Sequence, residues 1–154
     1  MKYRSSLLGL TLSFASLSAF ASVDIHDAYA RAMPPSAPNS AAFMTIENST
    51  NNDISLISAT SPAAGKVELH NHEMHDGMMK MRQVKEIEVP ANGKVVLEPG
   101  GLHVMFFDLT SPMKEGDEVS LSLMFSDGSK INQNIPVKKI MVSKMHKHKK
   151  KDHH

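Results

Sequence analysis

Short runs of alternating apolar and polar residues occupy most of this chain. Val67-x-Leu69, Ile87-x-Val89, Val119-x-Leu121-x-Leu123 and the segment from Ile131 to Val137 each place their apolar side chains on one face of an extended strand. Turn signals separate the runs at Asn39, Asn51-Asn52-Asp53, Gly65, Asp76-Gly77, Asn92-Gly93, Pro99-Gly100-Gly101, Glu115-Gly116-Asp117 and Asp127-Gly128. No long window holds a helical period. Regular short strands with such punctuation predict an all-β sandwich or small barrel. Ala32 to Ala42, with Pro34, Pro35 and Pro38, reads as a structured loop near the start. There is no internal repeat and no linker long enough to divide domains.

The two ends depart from this pattern. Lys2 and Arg4, the apolar run from Leu7 to Phe20 and the A-x-A site Ala19-Phe20-Ala21 read as a signal peptide over residues 1–21. A membrane anchor would need about 20 apolar residues, more than this run supplies. No Cys follows the cleavage site, so no lipid anchor is suggested. The expected mature chain is exported, soluble and periplasmic, with no membrane insertion. Residues 22–142 are then one domain with a sizeable core. From Ser143 the composition turns to Lys and His, and residues 143–154 are expected to form a disordered tail.

Charge sharpens this division. Residues 22–137 carry 8 Lys and Arg against 15 Asp and Glu, net −7, whereas residues 138–154 carry 7 Lys against Asp152 alone, net +6. A basic tail suits nucleic acid or an anionic surface. Export removes nucleic acid, and the single apolar residue between Lys144 and His154, Met145, is too little to seat that run in a bilayer.

The chain has 12 Met, 9 His and no Cys. An exported protein without Cys has no disulfide framework and no thiolate metal site, which also excludes a blue-copper electron-transfer centre. Thioethers and imidazoles remain, and they suit Cu(I). Residues 70–81 hold three His and four Met in twelve positions, more imidazole than a core stretch accepts. Met44, Met124 and Met33 read as ordinary core filler, and His26 as a surface or satisfied core residue.

Four residues stand out: His70, Met81, His103 and Met105, spaced H-x10-M-x21-H-x-M. His103 and Met105 are i and i+2 on a strand, on the same face and about 7 Å apart. Val104 and Phe106 then face the core, and the Pro99-Gly100-Gly101 turn puts the pair at an end of the sandwich. Asp76-Gly77 is a type I′ hairpin signal. With those two residues as the loop, His75 pairs with Met78, Met74 with Met79 and His72 with Met81, leaving His70 diagonal to Met81. Two imidazoles and two thioethers are neutral, so a bound Cu(I) keeps charge +1, cheaper to bury than a dication.

Around these ligands, Glu68-Leu69-His70, Asp76 through Arg82, and Pro99-Gly100-Gly101-Leu102-His103-Val104-Met105 resemble the periplasmic copper chaperones of the PCuAC family, as do Ala30-Arg31-Ala32, the Ala41 to Asn48 strand and Leu109 to Phe125. The resemblance implies a cupredoxin-like Greek-key β-sandwich. It implies one Cu(I) held by His70, Met81, His103 and Met105, and delivery to the copper centre of a haem-copper cytochrome oxidase. The implied partner is a copper-accepting oxidase subunit or assembly factor, with the chain itself a monomer. His72, Met74 and His75 are extra ligand-type residues, so which imidazole binds stays open. His146, His148, His153 and His154 form a tail comparable to extensions that bind Cu(II) in the family. Copper sequestration would use the same site. An enzyme is not expected: there is no nucleophile elbow or paired-carboxylate motif, and thioethers are poor zinc ligands.

Overall fold

The computed structural model describes residues 22–140; the signal-peptide reading of 1–21 and the tail reading of 143–154 lie outside the described residues. Ten strands follow in order: β1 (Val23–Arg31), β2 (Ser40–Asn48), β3 (Ile54–Thr60), β4 (Ala64–His75), β5 (Met78–Gln83), β6 (Ile87–Val89), β7 (Gly93–Leu97), β8 (His103–Leu109), β9 (Glu118–Phe125) and β10 (Lys130–Lys138). Among the described residues there is no helix.

The strands make two hydrogen-bonded runs, β5-β4-β8-β2-β1 and β10-β9-β3-β6. They join where the end of β1 lies parallel to the end of β10, Ala30 beside Val137. β7 and β8 pair with opposite halves of β2, end to end. The chain crosses between the runs at β2–β3, β3–β4, β5–β6, β6–β7 and β8–β9. This is the Greek-key β-sandwich that the alternation and the family resemblance imply.

Alternation places the core. Val119, Leu121, Leu123 and Phe125 of β9 point inward, as do Ala42, Met44 and Ile46 of β2, Leu69 of β4, and Val104 and Phe106 of β8. Burying a side chain of this size contributes roughly 1.5–3 kcal/mol. Met44 is the core filler expected of it. Met124 is not: it sits between Leu123 and Phe125, so the period of two turns it outward, and it is 43% exposed. His26 lies on the surface, where its Nε2 is 3.2 Å from the Glu47 carboxylate.

Two local features position the site. β4 is longer than its neighbour β8. Its first part, to His70, pairs with β8, and its second part, from His70 to His75, pairs with β5. The β4–β5 hairpin is therefore an arm that runs past the start of β8. Its turn has Asp76 at φ 50° and Gly77 at φ 75°. Both are left-handed, as a type I′ turn requires, which is why Asp-Gly stands there. The register is the expected one, with His75 opposite Met78, Met74 opposite Met79 and His72 opposite Met81.

Candidate metal centre

His103 opens β8 directly after the Pro99–Leu102 turn. The turn closes through Gly101 N–H to Glu98 C=O (3.0 Å) and Glu98 N–H to Leu102 C=O (2.9 Å), with Gly100 at φ 87°. That last value favours glycine. The Gly101 carbonyl then accepts a hydrogen bond from His103 Nδ1–H at 2.9 Å. A carbonyl only accepts, so the proton is on Nδ1 and Nε2 carries a bare lone pair. Nε2 is buried and has no hydrogen-bond partner.

His70 lies directly across from His103 on β4. Its Nε2 is 2.8 Å from Glu68 Oε2. The carboxylate accepts a hydrogen bond from Nε2–H, so the bare lone pair of the ring falls on Nδ1, also buried and without a partner. The two rings stand 5.8 Å apart, centroid to centroid. An unsatisfied buried polar atom costs about 1–3 kcal/mol, and most buried polar atoms have a partner. Here two occur side by side, each on an imidazole whose other nitrogen is fixed by an acceptor. That arrangement is how proteins prepare histidines for a metal ion.

Sulfur completes the surroundings. Met105 follows His103 by two residues, on the face turned away from Val104 and Phe106, opposite the small Ala41 of β2. Met81 is on the edge strand β5, opposite His72. A cavity of about 360 Å³ opens here, lined by His103, Met105, Met81, His72, Met33 and Phe43 among others. It lies on the outer face of the β5-β4-β8-β2-β1 run, beside the β7–β8 turn. The sequence expectation of a site at a sandwich end holds for the first residue of β8, but the cavity opens sideways.

The four expected ligands are thus near one another without being equivalent. His103, Met105 and Met81 line the cavity. His70 is adjacent to His103 but turned toward Glu68 and Phe107, whose ring centroid is 5.7 Å from its own. His72 lines the cavity in its place, with its ring 5.2 Å from His103 and its Nδ1 3.4 Å from the Gly101 carbonyl.

Electrostatics favour the neutral form of His103. Burial pushes the His103 pKa below its ordinary 6.5; the Gly101 hydrogen bond opposes this, and neighbouring His72 and His70 add to it. Glu68 is held below the usual carboxylate range, first by its hydrogen bond with His70 and then by Lys66, 3.1 Å away. Among the described residues, no group of three or more His, Asp and Glu side chains is placed to hold a metal ion without sulfur. Such a donor set favours a soft, low-charge ion over Zn²⁺ or Ca²⁺.

Comparison with known proteins gives this geometry a context. The sequence profile of the family described as "Putative lipoprotein LpqE-like" matches residues 23–137, from β1 through most of β10. The solution structure of CuI-DR1885 from Deinococcus radiodurans is 34% identical, with TM-score 0.63 over 80% of this chain and 83% of that one. The chain belongs to the LpqE-like family and has the PCuAC fold. The fold is shared with the copper-bound PCuAC domain from PmoF2, at TM-score 0.65 and 20% identity over 77% of this chain and 93% of that one. Among curated relatives, this LpqE-like chain is 35% identical over 99 residues to "Putative lipoprotein Lxx21020" of Leifsonia xyli subsp. xyli, and 29% over 100 residues to "Uncharacterized protein RP573" of Rickettsia prowazekii. The matched parts are 60% and 55% of those two proteins.

Sequence reasoning missed three parts of the LpqE-like site. Met33 was expected in the core; it is half-buried on the β1–β2 loop and lines the cavity instead. Glu68 orients His70, and its position two residues before His70 on one strand face was the available signal. The Gly101 carbonyl orients His103 from a turn whose geometry no residue pattern displays.

Proposed function

We propose that this protein is a periplasmic Cu(I)-binding metallochaperone, with His70, Met81, His103 and Met105 as the ligand set and residues 22–142 as its functional domain. The carrying observation is the pair of buried, partnerless nitrogens, His70 Nδ1 and His103 Nε2, beside the thioethers of Met105 and Met81. Copper is cargo in this reading, not a resident cofactor. The family supports it: a 34% identical relative has been solved as a Cu(I) form, and a protein of the same fold was solved copper-bound. The work is binding and transfer rather than catalysis. Export through residues 1–21 is part of the proposal; among the described residues no helix is long and apolar enough to cross a membrane.

Delivery follows from the unequal burial of the ligands. His103 is held in the sheet, whereas Met81 is 45% exposed on an edge strand. An acceptor ligand displaces Met81 first, and the ion leaves through the exposed side of the cavity. The proposed acceptor is a subunit or assembly factor of a haem-copper cytochrome oxidase, met by a monomeric chaperone. Sequestration is the second reading, favoured by the surplus of Met on the exposed arm. The tail residues His146, His148, His153 and His154 are proposed to hold Cu(II).

The test is anaerobic Cu(I) titration of the mature protein, with X-ray absorption at one equivalent. A shell of sulfur and nitrogen, lost in the Met81→Leu plus Met105→Leu variant, is the expected result. A nitrogen- and oxygen-only shell would move copper to the tail. Deleting the gene separates delivery, which costs oxidase activity, from sequestration, which costs copper tolerance alone.

A further inference from the structure

The β4–β5 arm carries more sulfur than the cavity uses. From Asn71 to Gln83 every apolar residue is Met: Met74, Met78, Met79 and Met81. All six residues of β5 are exposed, and Met74, Met78 and Met79 are 67%, 59% and 53% exposed. Packing does not explain them, because β5 is the edge strand and the arm runs past the start of β8. Strand propensity does not explain them either, since an exposed strand ordinarily favours β-branched residues such as Val, Ile or Thr. What Met adds is a polarizable sulfur that binds soft ions.

Register arranges that sulfur. Met74 and Met79 are directly opposite, which brings their Cβ atoms to about 4.5–5.5 Å. They share a face with the next rung inward, His72 opposite Met81, roughly 7 Å along the strands. His75, Met78, Glu73 and Lys80 alternate onto the other face. One face of the arm is therefore a ladder of thioether and imidazole, running from the open tip to the cavity that holds His103.

We propose that Met74 and Met79 form a second, outer site for a soft monovalent ion, one rung beyond His72 and Met81 on the β4–β5 arm. The ion is held by neutral thioethers, with no change of oxidation state, and it passes inward by exchanging one thioether for the next. Met81, within reach of both rungs, is the ligand through which the ion moves. The proposal rests on the copper reading of the cavity for its direction of transfer, but not for the existence of the outer site.

The test is Ag(I) titration of the full mature chain labelled with ¹³C at the Met methyl groups, Ag(I) being a redox-inert stand-in for Cu(I). The first equivalent is expected to move Met105 and Met81, and the second to move Met74 and Met79 while Met78 stays in place. In the Met74→Leu variant, which changes an exposed side chain for one of similar size, the second equivalent binds about tenfold more weakly, a difference of roughly 1.4 kcal/mol. The Met79 signal then moves only at correspondingly higher Ag(I). If Met74 and Met79 are still after two equivalents, or if Met78 moves as much as they do, the outer site is overturned. Failure of the cavity reading looks different: Met105 is unmoved at every ratio, whatever the arm does.

Discussion

His103 and Met81 line the same cavity, yet the first is 2% exposed and the second 45%. The imidazole half of the site is built into the sheet: His103 is fixed by the Gly101 carbonyl, His70 by Glu68, and both strands are backed by Leu69, Val104 and Phe106. Of the two thioethers, Met105 shares β8 with His103, whereas Met81 is on the edge strand β5, all six of whose residues are exposed. A carrier needs both properties. On the copper-carrier reading proposed above, the pre-oriented nitrogens would set the affinity and the exposed Met81 would let the ion leave without breaking the fold. On that proposal, the oriented nitrogens lie on β4 and β8, and the ligand that lets go first lies on β5.

The largest effect follows from breaking the rigid half. His103→Leu removes a buried nitrogen that has no partner. High-affinity Cu(I) binding is expected to disappear, while stability of the metal-free protein does not fall and rises by up to about 1 kcal/mol. In a domain of this size that corresponds to a Tm increase of roughly 3–6 °C. A large loss of stability on chemical denaturation would show that His103 serves the fold rather than the ion.

Glu68→Gln leaves every proposed ligand in place but replaces the carboxylate that orients His70. Loss of such an outer partner typically weakens metal binding by about 10–100-fold. Competition against a Cu(I) chelator reads this change, and an unaltered affinity would argue that His72 binds in place of His70.

Acid should act on the two halves differently. His103 has a pKa below its ordinary 6.5 when folded, because burial disfavours its charged form. The unfolded chain therefore takes up a proton at this residue at a higher pH than the folded one. Its contribution to stability is complete above about pH 6.5 and is lost as pH falls from there toward the folded value. Cu(I) affinity follows the same direction: it holds through pH 6.5 and declines below, as protons compete for Nε2. The thioethers do not titrate, so silver uptake on the Met74–Met79 rung should be flat over that range. A parallel decline in both would erase the distinction between the halves.

The smallest effect belongs to Met78. It is on the opposite face of the arm from Met79, so Met78→Leu is expected to leave Cu(I) affinity and stability unchanged in titration and melting experiments.

Much of this was legible in the residues themselves. The period of two in β9 and β10, the Asp76-Gly77 turn and the resulting pairing of His72 with Met81 are all local, and local signals survive into the structure. Relations set by distant chain segments were less legible. Met33 looks like filler until the loop carrying it is seen over the cavity. Met124 is the opposite case: its place between Leu123 and Phe125 made its outward parity readable from the local alternation. The greatest gap concerns His70 and His72. Sequence spacing pointed to His70, whereas His72 lines the cavity because β4 continues past β8 and follows β5. Ring orientation is set by partners only two residues away, Glu68 for His70 and the Gly101 carbonyl for His103, but the turn geometry that aims the carbonyl is not displayed by the residue pattern.

The central claim is that two imidazoles are held with bare nitrogens aimed at an incoming ion. Long-range ¹⁵N correlation of the histidine rings, in the metal-free protein and with one equivalent of Cu(I), tests it most directly. Metal-free His103 is expected to be protonated on Nδ1 and His70 on Nε2, and Cu(I) is expected to shift His103 Nε2 and His70 Nδ1 and leave their partners unmoved. Rings that exchange between tautomers before copper is added, or bare nitrogens that do not shift when it is, would contradict it.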